Sequence, residues 1–271
     1  MRNVRVGCLT AMCHKWDVEG NWQLFEQSVR RCKSDQVDLF VSPECFLDGY
    51  AATEDDWTPQ RFSEVAQEVG DSIYIDRLRQ LAIEMCANMV FGFTEKVEGR
   101  FYNCALIVDR SGSIIGRYNK THLHAHDKRF AAGDDLPVFE LDCGVIGIVI
   151  CADRCWPETV RSLRLKGAEI LMMPTYGSWH LDNEWWMRTR SFENELFLCF
   201  SHPRVAFITD PEGKLVAKLQ SNRPGILIHD VDLDEAGIFR VSGRRPELYE
   251  ILTDPNPVPA LRRKKPHNKR D

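Results

Sequence analysis

A cysteine at the end of an apolar run is the first candidate for chemistry. Cys151 directly follows the β-branched run 145–150, which is too short for an ordinary helix and is typical of a buried strand of parallel type. Pro157 and Glu158 then have the composition expected in the first turn of a helix. Ligands collect at the carboxyl ends of such strands, and N–H groups at a helix start favour a thiolate and can later hold an oxyanion. Cys151 is therefore predicted to be a nucleophile.

Two further side chains have the chemistry that a cysteine nucleophile needs. A base must take the thiol proton, and a cation or an N–H group must face the developing oxyanion. Glu44 follows the strand-like run 37–42, and Lys120 follows the strand-like run 113–118. If these strand ends share one rim with the end of the strand before Cys151, the carboxylate, the ammonium and the thiol converge on a single site.

Strand-like and helix-like segments alternate along the chain, which favours a layered α/β fold with the strands inside. The periodicity predicts helices over 21–32, 73–87, 158–166 and 188–196, and strands over 4–12, 37–42, 89–94, 101–109, 113–118, 145–150, 170–174 and 197–202. No change in composition indicates a linker before Asp254. We therefore expect one domain over residues 1–253 and a basic, Pro-containing tail over residues 254–271 that is mobile or covers a partner subunit.

Composition and charge exclude several classes of protein. The formal net charge of −5 gives no general attraction to nucleic acid or to an anionic membrane, and no apolar run approaches the length of a spanning helix. The amino terminus lacks the long apolar region and the cleavage site of a signal peptide, so a cytoplasmic location is expected. The 10 cysteines are scattered without a C-x-x-C pair, which indicates reduced thiols rather than a disulfide scaffold.

Three segments surround the candidate residues in chain order: V-S-P-E-C-F-L-D-G-Y, G-R-Y-N-K-T-H-L and I-V-I-C-A-D-R-C-W-P-E. Together they resemble the signature segments of the nitrilase superfamily, the carbon–nitrogen hydrolases. The resemblance implies a four-layer α-β-β-α sandwich and an assembly of two or more copies, paired through helices near the nucleophile. It also implies that Glu44 is the general base, that Lys120 stabilises the tetrahedral intermediate and that Cys151 forms a thioester. This scheme needs no cofactor and no metal.

One position departs from the pattern of the superfamily. Many members carry a second Glu a few residues before an F-x-x-G segment, where it positions the lysine and orients the substrate. Here the segment is H-A-H-D-K-R-F-A-A-G, with His126 at that position and Asp127 beside it. Either Asp127 substitutes for the Glu after a one-residue adjustment of the loop, or His126 contacts the substrate directly.

Other side chains are candidates for binding the substrate. The N–H group of Ala152, together with Lys120, is expected to hold the oxyanion. Arg154 resembles the arginine that holds a substrate carboxylate in carbamoylase-like members, and an outward structural ion pair is the alternative. Tyr176 and Trp179 follow the next predicted strand and are expected to form walls of the pocket.

The sequence thus predicts a hydrolase that cleaves a non-peptide C–N bond of a small amide or N-carbamoyl compound. Nitrile hydrolysis or acyl transfer by the same three residues is an alternative, and so is a catalytically silent binding or scaffold protein. A metal-dependent hydrolase is a further alternative, because His122, His124 and His126 alternate along one segment. The expected partners are the substrate and other copies of the chain, without nucleic acid or membrane.

Overall fold

Twelve strands and six α-helices make up the regular structure of the computed structural model, which describes residues 1–177 and 181–254. The strands are β1 (Asn3–Thr10), β2 (Leu39–Val41), β3 (Asn88–Val97), β4 (Arg100–Val108), β5 (Ile114–Asn119), β6 (Val138–Leu141), β7 (Gly144–Ile148), β8 (Ile170–Pro174), β9 (Phe197–His202), β10 (Val205–Thr209), β11 (Leu215–Gln220) and β12 (Gly225–Asp232). The helices are α1 (Val18–Arg31), α2 (Pro59–Val65), α3 (Ile73–Met85), α4 (Pro157–Leu165), α5 (Leu181–Asn194) and α6 (Phe239–Ser242). The predicted tail lies outside the described residues, apart from Asp254.

The strands form two mixed sheets of six, in the orders β12-β1-β2-β3-β4-β5 and β11-β10-β9-β8-β7-β6. In the first sheet β1, β2 and β3 are parallel, and two antiparallel pairings then bring β5 into the same direction as β2. In the second sheet β7, β8 and β9 are parallel. The carboxyl ends of β2 and β5, which precede Glu44 and Lys120, therefore lie at the same edge of the first sheet.

The two sheets pack face to face, and helices cover both outer faces. Alternate residues of β8 point in opposite directions: Ile170 and Met172 pack between the sheets, and Leu171 and Met173 pack with residues of α4 and α5. Helices α1 and α3 cover the outer face of the first sheet in the same way. Because both faces of the central strands are buried, they are apolar throughout. The arrangement confirms the predicted α-β-β-α sandwich.

Most of the predicted elements are confirmed within a few residues of their predicted ends, and the exceptions are short or lie outside the central strands. Helix α2 has seven residues, which is less than two full turns, and β6 is a four-residue strand at a sheet edge. Neither is long enough to show a clear periodicity, so both were missed. Helix α5 begins at Leu181, seven residues before the predicted start.

Two predictions from composition can be compared with the coordinates. All 10 cysteines are free thiols, as their scattered positions indicated. In the part of the chain that the structure describes, no helix combines the length and the apolar character needed to cross a bilayer.

A glycine in β3 makes room for the loop that carries Glu44. A Cβ atom on Gly92 would lie 2.4 Å from the carbonyl oxygen of Pro43, well inside contact distance. The Gly92 N–H donates to Ser42 Oγ at 2.8 Å, and its carbonyl accepts a hydrogen bond from the Leu47 N–H at 3.2 Å. The missing side chain therefore lets the loop lie directly on the sheet.

Replacement of this glycine tests the close approach. We expect Gly92→Ala to lower the free energy of unfolding by about 1–3 kcal/mol, because overpacking forces the backbone of the loop to shift. Urea denaturation measures the change. Gly70→Ala is the matched control, since nothing lies within 4 Å of its Cβ position. Equal stabilities of the two variants would contradict the packing argument.

Candidate active site

A fully buried ammonium group lies between two carboxylates at the edge of the first sheet. Lys120 Nζ donates to Glu44 Oε1 at 2.9 Å and to Asp127 Oδ2 at 2.8 Å, and all three side chains are 0% exposed. Glu44 follows β2, Lys120 directly follows β5, and Asp127 ends the 3-10 turn Ala125–Asp127. Because an unpaired buried charge is costly, each of these groups depends on the others to remain in place.

The charges of this cluster shift the pKa values of its members. Burial acts to lower the pKa of Lys120, but the negative charges of Glu44, Cys151 and Asp127 outweigh it and raise that pKa. Burial acts to raise the pKa of Asp127, but the Lys120 ammonium and the hydrogen bonds to the carboxylate lower it overall. One of those hydrogen bonds is donated by the Tyr50 hydroxyl. The ammonium and the Asp127 carboxylate are therefore both charged at neutral pH.

The two oxygens of the Glu44 carboxylate have different surroundings. Oε1 accepts hydrogen bonds from Lys120 Nζ at 2.9 Å and from Asn103 Nδ2 at 2.8 Å. Oε2 is buried and has no hydrogen-bond partner among the described residues. A carboxylate oxygen that accepts no hydrogen bond has its lone pairs open to a proton donor. The geometry therefore leaves one oxygen of Glu44 available as a base.

Cys151 is the first residue of a 3-10 turn, Cys151–Cys155, and is 5% exposed. Burial raises the pKa of its thiol, the Glu44 charge raises it further, and the charges of Arg154 and Lys120 lower it. The sulfur thus lies within electrostatic range of both other predicted residues. Glu44 and Lys120 are hydrogen-bonded to each other, and the charges of both act on the Cys151 thiol.

The helix after Cys151 is confirmed, because α4 begins at Pro157, one residue before the predicted start, and Pro157 occupies its first turn. The 3-10 turn Cys151–Cys155 that precedes this helix was not predicted. The intervening 3-10 turn places Ala152 second in a helical segment. The first N–H groups of a helical segment have no acceptor within that segment. The Ala152 N–H can therefore donate a hydrogen bond to an oxyanion.

Asp153 joins the turn of Cys151 to the loop that follows Lys120, and sequence reasoning missed it. Its buried carboxylate accepts hydrogen bonds from the Tyr118 hydroxyl at 2.7 Å, the Ile150 N–H at 2.9 Å, the His122 N–H at 2.9 Å and the Thr121 hydroxyl at 3.1 Å. Two of these donors follow β5 in the first sheet, and one precedes Cys151 in the second. The only signal in the sequence was an acidic residue next to an otherwise apolar run.

Asp127, and not His126, occupies the position beside the lysine. His126 Nε2 lies 3.8 Å from Asp127 Oδ2, and its side chain is 45% exposed. Its ring faces a cavity of about 710 Å³ that is also lined by Tyr50, Tyr176 and Gly177. A Cβ atom on Gly177 would lie 3.8 Å from Cys151 Sγ, so this cavity adjoins the nucleophile. Tyr176 thus lines this cavity, and Trp179 lies outside the described residues.

Arg154 is buried and directed at the nucleophile. Its Nη1 donates to Cys151 O at 2.8 Å and lies 3.3 Å from Cys151 Sγ, and its Nη2 donates to Asn183 Oδ1 at 3.3 Å. No described carboxylate forms an ion pair with it. The alternative of an outward structural ion pair is therefore wrong.

The three alternating histidines do not converge. His124 and His126 stack with ring centroids 5.4 Å apart, whereas His122 stacks on Trp156 at 4.3 Å and has Nδ1 2.9 Å from Asp153 Oδ1. Within residues 1–177 and 181–254, no group of three or more His, Cys, Asp or Glu side chains is placed to hold a metal ion.

The backbone is strained where it carries these groups. Cys151 has φ +45°, Cys45 beside Glu44 has φ +43°, and Tyr50 has φ +59°. Side chains other than glycine rarely adopt this left-handed region, and each case costs on the order of 1–3 kcal/mol. Three such residues around one buried cluster are typical of a functional site.

A family model for carbon-nitrogen hydrolases matches residues 5–240. The chain belongs to this family. A probable nitrilase of Schizosaccharomyces pombe is 28% identical over 92% of this chain and 98% of its own, and the N-carbamoylputrescine amidase of Arabidopsis thaliana is 28% identical over 93% and 95%. An amidase from Nesterenkonia sp. AN1, solved in complex with acrylamide, superposes with a TM-score of 0.79 at 19% identity, over 92% of this chain and 97% of that one.

These comparisons confirm the resemblance to the nitrilase superfamily and the sandwich fold. They also make the protein a carbon–nitrogen hydrolase, so the alternative of a silent scaffold is not supported.

The two candidates for the missing Glu can be separated by substitution. We expect Asp127→Asn to lower kcat/KM for a small amide by about 100-fold, because a charged hydrogen bond to Lys120 contributes about 1.5–3 kcal/mol. His126→Gln is the control from the same turn, and we expect it to retain kcat because its ring does not contact Lys120. Ammonia release measures both. A loss of kcat in His126→Gln with full activity in Asp127→Asn would reverse the assignment.

Proposed function

We propose that this protein hydrolyses the C–N bond of a small amide or N-carbamoyl compound through a thioester on Cys151. Glu44 takes the thiol proton, and the thiolate attacks the carbonyl carbon of the substrate. The Lys120 ammonium and the Ala152 N–H hold the resulting oxyanion, and Glu44 returns the proton to the departing amine or ammonia. Water activated by the same carboxylate then cleaves the thioester.

The observation that carries this proposal is the asymmetry of the Glu44 carboxylate. Oε1 is fixed by two donors, so the side chain cannot turn away, and Oε2 is buried and has no donor among the described residues. An oxygen in this position has its lone pairs open for the proton that a general base must accept. The thiol supplies that proton in the first half of the reaction, and water supplies it in the second.

Asp127 has a positioning role in this scheme. Lys120 must remain charged while Glu44 alternates between its charged and neutral forms. Because Asp127 Oδ2 accepts a hydrogen bond from Lys120 at 2.8 Å and keeps its own charge, the ammonium retains a counter-ion when Glu44 is protonated. The oxyanion stabiliser is thus preorganised throughout the cycle.

Arg154 supports the nucleophile. Burial of the sulfur disfavours the thiolate, and the guanidinium 3.3 Å away opposes that effect. The cation remains next to the sulfur because it also donates to the carbonyl of Cys151 itself. In this position it stabilises the thiolate until the substrate carbonyl arrives.

Trapping of the acyl-enzyme tests the scheme. An activated acyl ester has a leaving group that needs no proton, so we expect Glu44→Gln to be acylated by it and then to fail in the hydrolysis step. Intact-mass spectrometry should show a stable acyl adduct in Glu44→Gln, a transient one in the wild type and none in Cys151→Ala.

Cys155→Ser is the matched control, because this exposed cysteine lies in the same turn. It should form the adduct as the wild type does. Turnover of amides by Cys151→Ala, or an adduct on another cysteine, would exclude the mechanism.

We also propose that the chain pairs with a second copy through an apolar face near the nucleophile turn. The face comprises exposed apolar side chains of α5 and of the segment after β12: Trp185, Trp186, Phe192, Ile238, Phe239, Ile251 and Leu252. Exposed apolar side chains of this kind mark interaction sites, and α6 packs against α5.

A charge placed in this face should separate the copies. We expect Phe239→Glu, at a residue that is 82% exposed, to shift the protein from dimer or larger assembly to monomer in size-exclusion chromatography with light scattering. Ile73→Glu is the control, since Ile73 is exposed at the start of α3 on the opposite outer layer. A monomeric wild-type protein would contradict the proposal.

A further inference from the structure

The cavity beside Cys151 extends to a cation that the proposed mechanism does not use. At its inner end is Gly177, adjacent to the sulfur, and its wall includes His202, Arg204, Gln220 and Asn222. Arg204 lies in the turn between β9 and β10, and Gln220 ends β11. The Ser221 N–H donates to the Arg204 carbonyl at 3.0 Å, so the two loops form one rim.

His202 links the nucleophile end of the cavity to this rim. Its Nε2 is 2.7 Å from the Gly177 carbonyl, and its Nδ1 accepts a hydrogen bond from the Arg204 N–H at 3.1 Å. This arrangement requires the neutral ring with its proton on Nε2, and burial lowers the pKa of His202 accordingly. The backbone of Arg204 is therefore linked to Gly177, next to Cys151, through the His202 ring and its two hydrogen bonds.

The charge of the cavity is positive. Arg204 is exposed, and its guanidinium forms no ion pair or hydrogen bond with any described side chain. The cavity lining contains no Asp or Glu among the described residues. Lys15 lies 4.9 Å from the centroid of the Tyr176 ring and pairs with Glu54 at 3.4 Å, so the Glu54 carboxylate is already neutralised.

We infer that the substrate carries a carboxylate remote from the scissile C–N bond and that Arg204 binds it. This inference rests on the proposed function, since the reacting carbonyl must lie at Cys151. A guanidinium presents paired donors that match a carboxylate, whereas a protonated amine at the same place would face a like charge. A cavity of about 710 Å³ holds a small molecule of that extent.

A matched set of ureas tests the inference, because its members share one reacting group and differ only at the far end. The set consists of 4-ureidobutyrate with a carboxylate, N-butylurea with a methyl group and N-carbamoylputrescine with an ammonium. We expect kcat/KM to be highest for 4-ureidobutyrate and lowest for N-carbamoylputrescine, with about a tenfold step between neighbours. The binding order should be the same in calorimetry with Cys151→Ala.

Substitution of the cation assigns the preference to its residue. Arg204→Gln should lower the kcat/KM for 4-ureidobutyrate to the value for N-butylurea. Arg204→Glu should make N-carbamoylputrescine the substrate with the highest kcat/KM of the three. The kcat/KM of N-butylurea should change least, because its terminal methyl group carries no charge for the residue at position 204 to attract or repel. Arg223→Gln is the control, since Arg223 is an exposed cation of the adjoining loop that does not line the cavity.

Two results would overturn the inference and leave the proposed function intact. The first is hydrolysis of all three ureas without a charge preference. The second is a preference for N-carbamoylglycine that Arg204→Gln does not alter. The carboxylate of this compound lies next to the reacting group, so that result would mean that Arg154 holds the anion. If no urea is hydrolysed, the calorimetric order in Cys151→Ala decides the inference separately from the reaction.

Discussion

The burial of one ammonium group constrains the rest of this structure. Lys120 is removed from water, and an unpaired charge there would cost several kcal/mol, so folding must deliver Glu44 and Asp127 to within hydrogen-bond distance. These three residues come from the end of one strand, the loop after another and a separate turn. Because β2 and β5 run in the same direction, Glu44 and Lys120, which follow these strands, lie at the same edge of the sheet. Tyr50 then donates to the Asp127 oxygen that the ammonium does not contact, and Asn103 donates to the same Glu44 oxygen as the ammonium does.

The second sheet must be held in register with this cluster, because the nucleophile belongs to it. Asp153 provides the connection by accepting hydrogen bonds from both the Cys151 turn and the loop after Lys120. The backbone contributes as well, since the Glu44 N–H lies 3.5 Å from the Thr175 carbonyl at the end of β8. A shift of one sheet along the other would break these bonds together. The inner packing of the sandwich therefore also sets the alignment of the reacting groups.

The convergence of Glu44, Lys120 and Cys151 was predictable because each follows an apolar strand, and strand direction can be inferred from the pattern of connections. The choice between His126 and Asp127 was not, because it depends on the register of a single 3-10 turn, where one residue decides which side chain points inward. Asp153 and the direction of Arg154 depend on a similar turn. Such turns have no apolar periodicity, so their side-chain directions emerge only from the packed structure.

The left-handed backbone at Cys45, Tyr50 and Cys151 has a consequence for the evolution of this enzyme. At each of these positions glycine would adopt the left-handed backbone with the least strain, but it would remove a side chain packed in or against the buried cluster. Selection for heat resistance alone and selection for turnover therefore favour different amino acids at the same sites. Substitutions that raise thermal stability at these positions are expected to lower turnover. Stabilising substitutions in the outer helices carry no such conflict.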